Sequence, residues 1–199
     1  MNGFHRFGLL APVAAISLSS CGVNSVPTAE EQVNAAWGNL QSEYQRRADL
    51  VPNLVSTVKG YAQQEKSVLI EVTEARAKAS SIQLNASDLS DPAKVQAFAN
   101  AQSQLGGSLG RLLATIEAYP DLKSNANFLT LQSQLEGTEN SILVARRDYN
   151  EAVRSYNVRI RTFPDAIGAK IFYGAKPKVP FEAAAAAQAA PKVDFNSAG

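Results

Sequence analysis

Between residue 28 and about residue 165, apolar side chains recur at alternating spacings of three and four. That rhythm keeps them on one side of a helix and does not fit the two-residue alternation of a half-buried strand. Four helical segments emerge. The first opens at Thr28, with Glu31 three residues on in the pattern of a capping box, and carries the stripe Val33, Trp37, Leu40 and Tyr44. Pro52 lacks an N–H and its ring presses on the preceding turn, which predicts a kink or break between Asp49 and Pro52. A second segment runs on to about Ile82. Its expected buried face is Leu54, Tyr61, Val68, Ala75 and Ile82, with Val55, Ala62 and Leu69 beside them. Glu65 falls near that face and needs a partner.

The third segment starts sharply at Asp91-Pro92, an acceptor side chain followed by the residue suited to a first helical position. Its stripe is Val95, Phe98, Leu105, Leu109, Leu112 and Ile116, and Tyr119-Pro120 ends it. Gly106, Gly107 and Gly110 lie inside it, each costing about 1 kcal/mol relative to alanine. Close helix contact is the expected reason, a local bend the alternative. The fourth segment extends from Ser124 to Thr162, where Phe163-Pro164 stops it. Phe128, Leu131, Leu135, Thr138, Ile142, Ala145, Tyr149, Ala152 and Tyr156 keep the three-four alternation throughout, a repeat that favours left-handed supercoiled packing. At 1.5 Å per residue such a helix is about 58 Å long. Short connections make consecutive helices antiparallel, so the predicted fold is all-α, a long antiparallel up-and-down bundle of about four helices. A dimeric coiled coil fits less well, because each stripe is wider than a two-column seam. Residues 83–90 read as a surface insertion.

The ends differ from this pattern. His5 and Arg6, a mostly apolar run from Phe7 to Leu18, and Ser19 and Ser20 form an export signal. Leu18-Ser19-Ser20-Cys21 resembles the lipobox of bacterial lipoproteins, in which the cysteine receives a diacylglycerol and becomes the new N-terminus. An uncleaved anchor is the alternative, but a stretch of about a dozen residues containing Pro12 falls short of the roughly twenty that span a bilayer. Cys21 is the single cysteine, so it is the expected lipidation site and no internal disulfide can form. The division expected is a signal peptide at 1–20, a lipidated tether at 21–27, the bundle at 28–165, a C-terminal extension at 166–182 and an Ala-rich disordered tail at 183–199. From Ala175 onward the composition buries little apolar surface, and disorder is expected over most of it.

Past the signal, 18 basic residues balance 18 acidic ones, which gives no electrostatic footprint for nucleic acid. The one histidine, His5, lies in the signal, and the one cysteine is assigned to lipid, so the mature chain lacks the common proton-transfer and thiol groups and any Cys/His zinc site. Glu71-x-x-Glu74 and Glu136-x-x-Glu139 have the spacing of bundle metal sites without the histidine those sites use, so they read as solvated faces. No cofactor, metal or catalytic residue is expected. A peptidoglycan or lipid hydrolase would need a Ser, Lys, Asp or Glu mechanism that no motif marks.

Several motifs stand in an order that resembles the LemA family. They are Gln45-Arg46-Arg47-Ala48-Asp49-Leu50-Val51-Pro52-Asn53-Leu54-Val55, then Val58-Lys59-Gly60-Tyr61-Ala62, Glu74-Ala75-Arg76, and Glu117-Ala118-Tyr119-Pro120-Asp121-Leu122-Lys123. Leu135-Glu136-Gly137-Thr138-Glu139-Asn140, Ala145-Arg146-Arg147-Asp148-Tyr149-Asn150 and Tyr156-Asn157 before Phe163-Pro164 follow. The resemblance spans about residues 24–182 and implies an antiparallel bundle of about four helices attached to a bacterial membrane by its N-terminus, without an activity. Members of that family commonly begin with a longer hydrophobic segment, where this chain has the lipobox.

The charged residues in these motifs, Arg46, Arg47, Asp49, Glu139, Arg146 and Arg147, have two readings. In one, Arg146 and Arg147 bridge to carboxylates on the first helices and fix how the helices pair. In the other, the arginines capture an anionic ligand or a partner's carboxylates. Tyrosines such as Tyr173 are candidate interface anchors. The function expected is a non-enzymatic scaffold or adaptor for envelope proteins, held by its acyl chains at the periplasmic face of the outer membrane if the cell has two. The alternative is a sensor of a small ligand or cation.

Overall fold

The computed structural model describes residues 24–181 apart from residue 63, so Cys21, the signal and the Ala-rich tail lie outside the described residues. The fold is all-α. Four helices carry it: α1 (Ser25–Lys59), α2 (Lys66–Ser81), α3 (Pro92–Ile116) and α5 (Ala126–Arg159), with the one-turn helices α4 (Pro120–Lys123) and α6 (Asp165–Gly168) at the connections. α1 packs along α5, and α2 along α3 and α1. α1 and α5 are antiparallel, since Val26 to Tyr44 share one core cluster with Ile142 to Tyr156 and Val51 to Val58 another with Phe128 and Leu135. α2 and α3 are likewise, since Glu71 meets Arg111 and Ala79 meets Gln102.

Three starts show how local chemistry sets the elements. Asp91 accepts from the N–H groups of Ala93 and Lys94, and Pro92 occupies the first helical position, as the sequence predicts. Asn125 does the same for α5 through Asn127 and Phe128, so that helix begins at Ala126 rather than Ser124 and, at 34 residues, is about 51 Å long. The capping box at Thr28 does not form. α1 already begins at Ser25, and the Thr28 hydroxyl donates back to the Asn24 carbonyl at 2.7 Å. Residues 25–27 of the expected tether are thus helical, and Val26 is buried.

Pro52 does not break the chain; α1 runs unbroken through it. A proline at 52 leaves the carbonyl of Ala48, four residues back, without its helical donor. Arg76 of α2 supplies one, its Nε donating to the Ala48 oxygen at 2.8 Å. The interruption falls instead at residues 60–65. This breaks the seven-residue columns expected across it: Tyr61 turns to solvent, and α2 buries Leu69, Val72 and Ala79. Glu65 finds its partner in Tyr119, whose hydroxyl donates to Oε1 at 2.9 Å; that bond raises the tyrosine pKa above its ordinary value.

The α3 stripe is buried as predicted, but of its three glycines only Gly106 faces a neighbouring helix closely. A Cβ at Gly107 or Gly110 would meet nothing within 4 Å, and one at Gly106 would rest 3.5 Å from Arg47 Nη1. Nothing in the structure explains Gly107 and Gly110.

With 16 residues, α2 covers less than half the length of the 35-residue α1. Two irregular segments complete the layer. Residues 83–90 are no simple surface insertion: Leu84 and Leu89 are buried, and the Leu84 carbonyl accepts from Trp37 Nε1 and Gln41 Nε2. The second segment is the stretch after Gly174, where a left-handed glycine (φ 54°) turns the chain back along α5. Of the stretch from Ala175 over most of which disorder is expected, residues 175–181 are ordered, and the rest lies outside the described residues. Asn157 of α5 grips the backbone of Lys178 through both its amide groups, Asn150 grips Phe181 in the same way, and the Val179 N–H donates to Leu89. Phe181 lies flat on Trp37, with ring centroids 5.9 Å apart, and meets Tyr149 edge-on. Lys178 is buried and pairs with Glu30 at 2.9 Å. Composition missed this strap because its order comes from two asparagines on another element.

Arg76→Met should lower stability by about 1–2 kcal/mol by leaving the Ala48 carbonyl without a donor. In a Pro52→Ala background residue 52 donates again, and the loss should fall by at least half; equal losses in urea unfolding would reduce Arg76 to packing. Burial pushes the Tyr156 hydroxyl up to about 12, helped by Glu30, and raises Tyr149 as well, whose hydroxyl donates to Val179. Unfolded tyrosine titrates near 10, so these two groups contribute stability that is complete below about pH 10 and lost as pH rises toward the folded values. Tyr156→Phe should flatten that alkaline decline in denaturant midpoints; a decline equally steep in the variant would place its cause elsewhere.

Candidate functional site

The buried core falls into two apolar clusters. One surrounds Trp37, Tyr44, Phe98, Ile142 and Tyr149; the other surrounds Leu54, Leu69, Leu105, Leu112 and Leu135. On each helix the boundary between them falls within one or two turns: between Tyr44 and Val51 on α1, Phe98 and Leu105 on α3, Leu135 and Ile142 on α5. Arg47 occupies that boundary. Its side chain is 4% exposed and is the charged residue at the centre of the molecule.

A guanidinium taken out of water needs acceptors for its donors, and two helices provide them. Nη1 donates to Glu139 Oε1 of α5 at 2.8 Å. Nη2 donates to both the backbone carbonyl and the side-chain oxygen of Gln102 on α3, each at 2.9 Å. The Gln102 amide in turn donates to the Ala79 carbonyl of α2 at 3.3 Å, so one polar layer links all four long helices. Tyr44 lies against the cation, its centroid 5.2 Å from the guanidinium carbon, and burial raises its hydroxyl pKa despite the lowering influence of Arg146 and Arg47. Arg47 Nε is buried without a hydrogen-bond partner.

The six charged residues singled out from the sequence therefore separate. Arg47, Glu139 and Arg146 come together around a groove of about 380 Å³ between α3 and α5, with Gln96, Asn100 and Ser103 on its other wall. Arg146 spreads over the Phe181 ring, 5.7 Å from its centroid, and so holds the strap. Arg46 and Asp49 face outward along a separate groove on the α2 side of α1, where Asp49 accepts from Gln45. Arg147 is exposed and pairs with its neighbour Asp148. The buried bridge between the first helix and the last runs from an arginine on α1, Arg47, to a carboxylate on α5, Glu139. A stripe reading cannot find this, because residue 47 sits in the heptad where an apolar side chain would sit.

Gln102 is the member that the sequence reading missed. The signal was present as a polar residue between Phe98 and Leu105 on the buried stripe. Of the carboxylate pairs, Glu71 is bound by Arg111 and Glu139 by Arg47. Among the described residues no three metal-ligating side chains gather, and no helix is long and apolar enough to cross a membrane.

Arg47→Ala should cost about 3 kcal/mol, a melting drop of roughly 5–10 °C, because it leaves the Gln102 oxygens and Glu139 without their cation. Glu139→Gln should cost about 1 kcal/mol or less, since its carboxylate is 46% exposed and water can replace part of the bond. Arg46→Ala should stay within about 0.5 kcal/mol. Thermal melts of the three variants check the order; comparable losses for Arg46 and Arg47 would contradict the assignment.

The LemA family model matches residues 36–195. Magnetosome protein MamQ 2 of Paramagnetospirillum magneticum is 27% identical over 172 residues, covering 78% of this chain and 63% of the relative. Protein LemA of Metamycoplasma hominis is 26% identical over 140 residues, covering 70% and 60%. Magnetosome protein MamQ of Magnetospirillum gryphiswaldense is 27% identical with the same coverage as the first. The chain thus matches about three-fifths of the length of these curated relatives. With the family model covering most of its residues, from the second turn of the Trp37 stripe to beyond the strap, this chain belongs to the LemA family.

Proposed function

We propose that this protein is a membrane-anchored, non-enzymatic scaffold of the bacterial envelope, which uses acyl chains on Cys21 for attachment and the faces of its bundle to hold other envelope proteins. One observation carries the reading: Arg47, Glu139 and Arg76 of the family motifs are consumed in holding helix to helix, and two motif asparagines in holding the strap. Arg47 and Glu139 join α1 to α5, Arg76 closes the gap left by Pro52, and Asn150 and Asn157 fasten the strap. Residues so employed make a rigid body of defined shape and leave surface for partners. The relatives are named for the magnetosome or for the family and not for a reaction.

The lipobox motivates the anchor, and two or three acyl chains hold a protein stably on a bilayer. Gly22 after the cysteine lacks the aspartate that resembles an inner-membrane retention signal, which favours the outer membrane in a two-membrane cell. A second reading, a sensor of a small anion, draws on the groove over Arg47 and Arg146. It is weaker because Arg47 already spends its Nη groups on Glu139 and Gln102. Native mass spectrometry of the purified protein reads for a retained ligand.

Proximity labelling from the bundle in live cells should return the same few envelope proteins from replicate cultures, and radiolabelled palmitate should enter the protein and disappear with Cys21→Ser. A labelling profile matching that of an unrelated lipoprotein would remove the scaffold reading. An unlabelled chain would remove the anchor.

A further inference from the structure

Large apolar side chains are exposed at one end of the bundle in a cluster that packing does not explain. Phe163 is 83% exposed, Ile167 52%, Ile171 69% and Phe172 68%. All four belong to the short turns after α5, with Ile167 on α6 and Ile171 and Phe172 in the following turn, Ala169–Tyr173. The turns themselves are fixed: Ala169 is buried in the Trp37 cluster, α6 packs on α1, and the Ala175 N–H donates to the Ala169 carbonyl. The segment is therefore a built cap that turns two small residues, Gly168 and Ala169, inward and these four large ones outward.

Charge follows the same division. Between residues 159 and 176 the charged groups are Arg159, Arg161, Lys170 and Lys176 against the single acid Asp165, in a chain that is otherwise nearly neutral. All four cations are exposed. An apolar cluster ringed by basic side chains is the composition of segments that settle into the headgroup region of anionic bilayers.

Position supplies the third argument. α1 and α5 are antiparallel, so the end of α5 lies beside the start of α1 at Ser25, and α6 packs there. Cys21 precedes Asn24 by three residues, which places it within about 11 Å of Asn24 even on a fully extended chain. The patch and the expected acyl chains thus share one end of the rod. The strap leaves in the opposite direction, reaching Asn150, about 14 Å back along α5 from its end, by Phe181.

We propose that Phe163, Ile167, Ile171 and Phe172, with their ring of lysines and arginines, form a second membrane contact that enters the headgroup layer of an anionic phospholipid surface. This rests on the anchored reading for the nearness of a membrane, and it adds a contact that sets how the bundle stands on it. A lone acyl anchor leaves the bundle free to tumble on its tether; two contacts at one end do not.

The test uses full-length protein extracted from membranes and reconstituted into vesicles of phosphatidylcholine with phosphatidylglycerol. A nitroxide placed by Ile171→Cys is compared with one at Leu143→Cys, a side chain of similar exposure (61%) about 25 Å along α5 from its end. The label at 171 should become accessible to dissolved oxygen and shielded from an aqueous nickel complex, while that at 143 stays aqueous. Replacing phosphatidylglycerol with phosphatidylcholine should weaken the shielding. Equal nickel access at both positions overturns the proposal, and cross-linking of position 171 to a co-purifying protein with the label still aqueous would assign the patch to that protein instead. The mass of the N-terminal peptide from the same sample reports acylation independently. An acylated chain with an aqueous 171 label sinks the patch and spares the anchor. A chain without acyl groups that still floats with anionic vesicles, and loses that on Phe163→Ser with Phe172→Ser at unchanged melting temperature, sinks the anchor and supports the patch; one that does not float sinks both.

Discussion

A single buried guanidinium sets the register of this bundle. Helices with three-four stripes can slide past one another by a heptad and still bury apolar surface against apolar surface, so hydrophobic packing alone specifies the fold weakly along its axis. Arg47 removes that freedom. Its Nη groups find these acceptors at one offset only, where Gln102 of α3 and Glu139 of α5 stand opposite it, and Gln102 carries the constraint on to Ala79 of α2. Such a layer is a poor source of stability, since apolar replacement of a buried ionic group is often neutral or favourable. What it supplies is one alignment of four rods.

The same logic accounts for Pro52 and Arg76. A proline inside a helix costs about 3 kcal/mol, partly as a lost backbone bond. When a neighbouring helix provides the replacement donor, the defect becomes an address: α2 fits α1 only where Arg76 meets the Ala48 carbonyl. Ala48 follows Arg47 directly, so both constraints act on the same turn of α1. The shortness of α2 then follows without penalty, because register is set at that turn and the rest of the layer can be filled by residues 83–90 and the strap.

How much of this the sequence discloses depends on where each constraint resides. Stripes on α3 and α5 are legible because periodicity is local: Val95 to Ile116 and Phe128 to Tyr156 point inward in the structure as their spacing requires. Asp91-Pro92 is legible for the same reason. Pro52 misleads, since its remedy lies 24 residues away on another helix. The strap misleads further: residues 175–181 have a composition that buries little, and their order is imposed by Asn150 and Asn157, which from the sequence look like ordinary polar positions on α5. The charged motif residues can be identified from the sequence but not sorted by it. Arg46 and Arg47 are adjacent and chemically identical, and only the turn of the helix sends one to solvent and the other to the core.

The strap also bears on how the two ends of the rod communicate. Lys178 is held by Glu30 near the start of α1 and by the Ala86 carbonyl, and Phe181 is sandwiched among Trp37, Tyr149 and Arg146 near the rim of the Arg47 groove. One continuous segment therefore runs from the exposed cap at Phe163–Phe172 to the wall of the central polar layer, with no flexible linker between. A contact that fixes the cap fixes Gly174 and the strap behind it, because the backbone of residues 178 and 181 is clamped to α5. In the end-on arrangement proposed above, this route makes the mid-bundle surface mechanically continuous with the membrane end. A rigid bundle is what transmits such a constraint over about 20 Å, and the buried arginine keeps the bundle rigid.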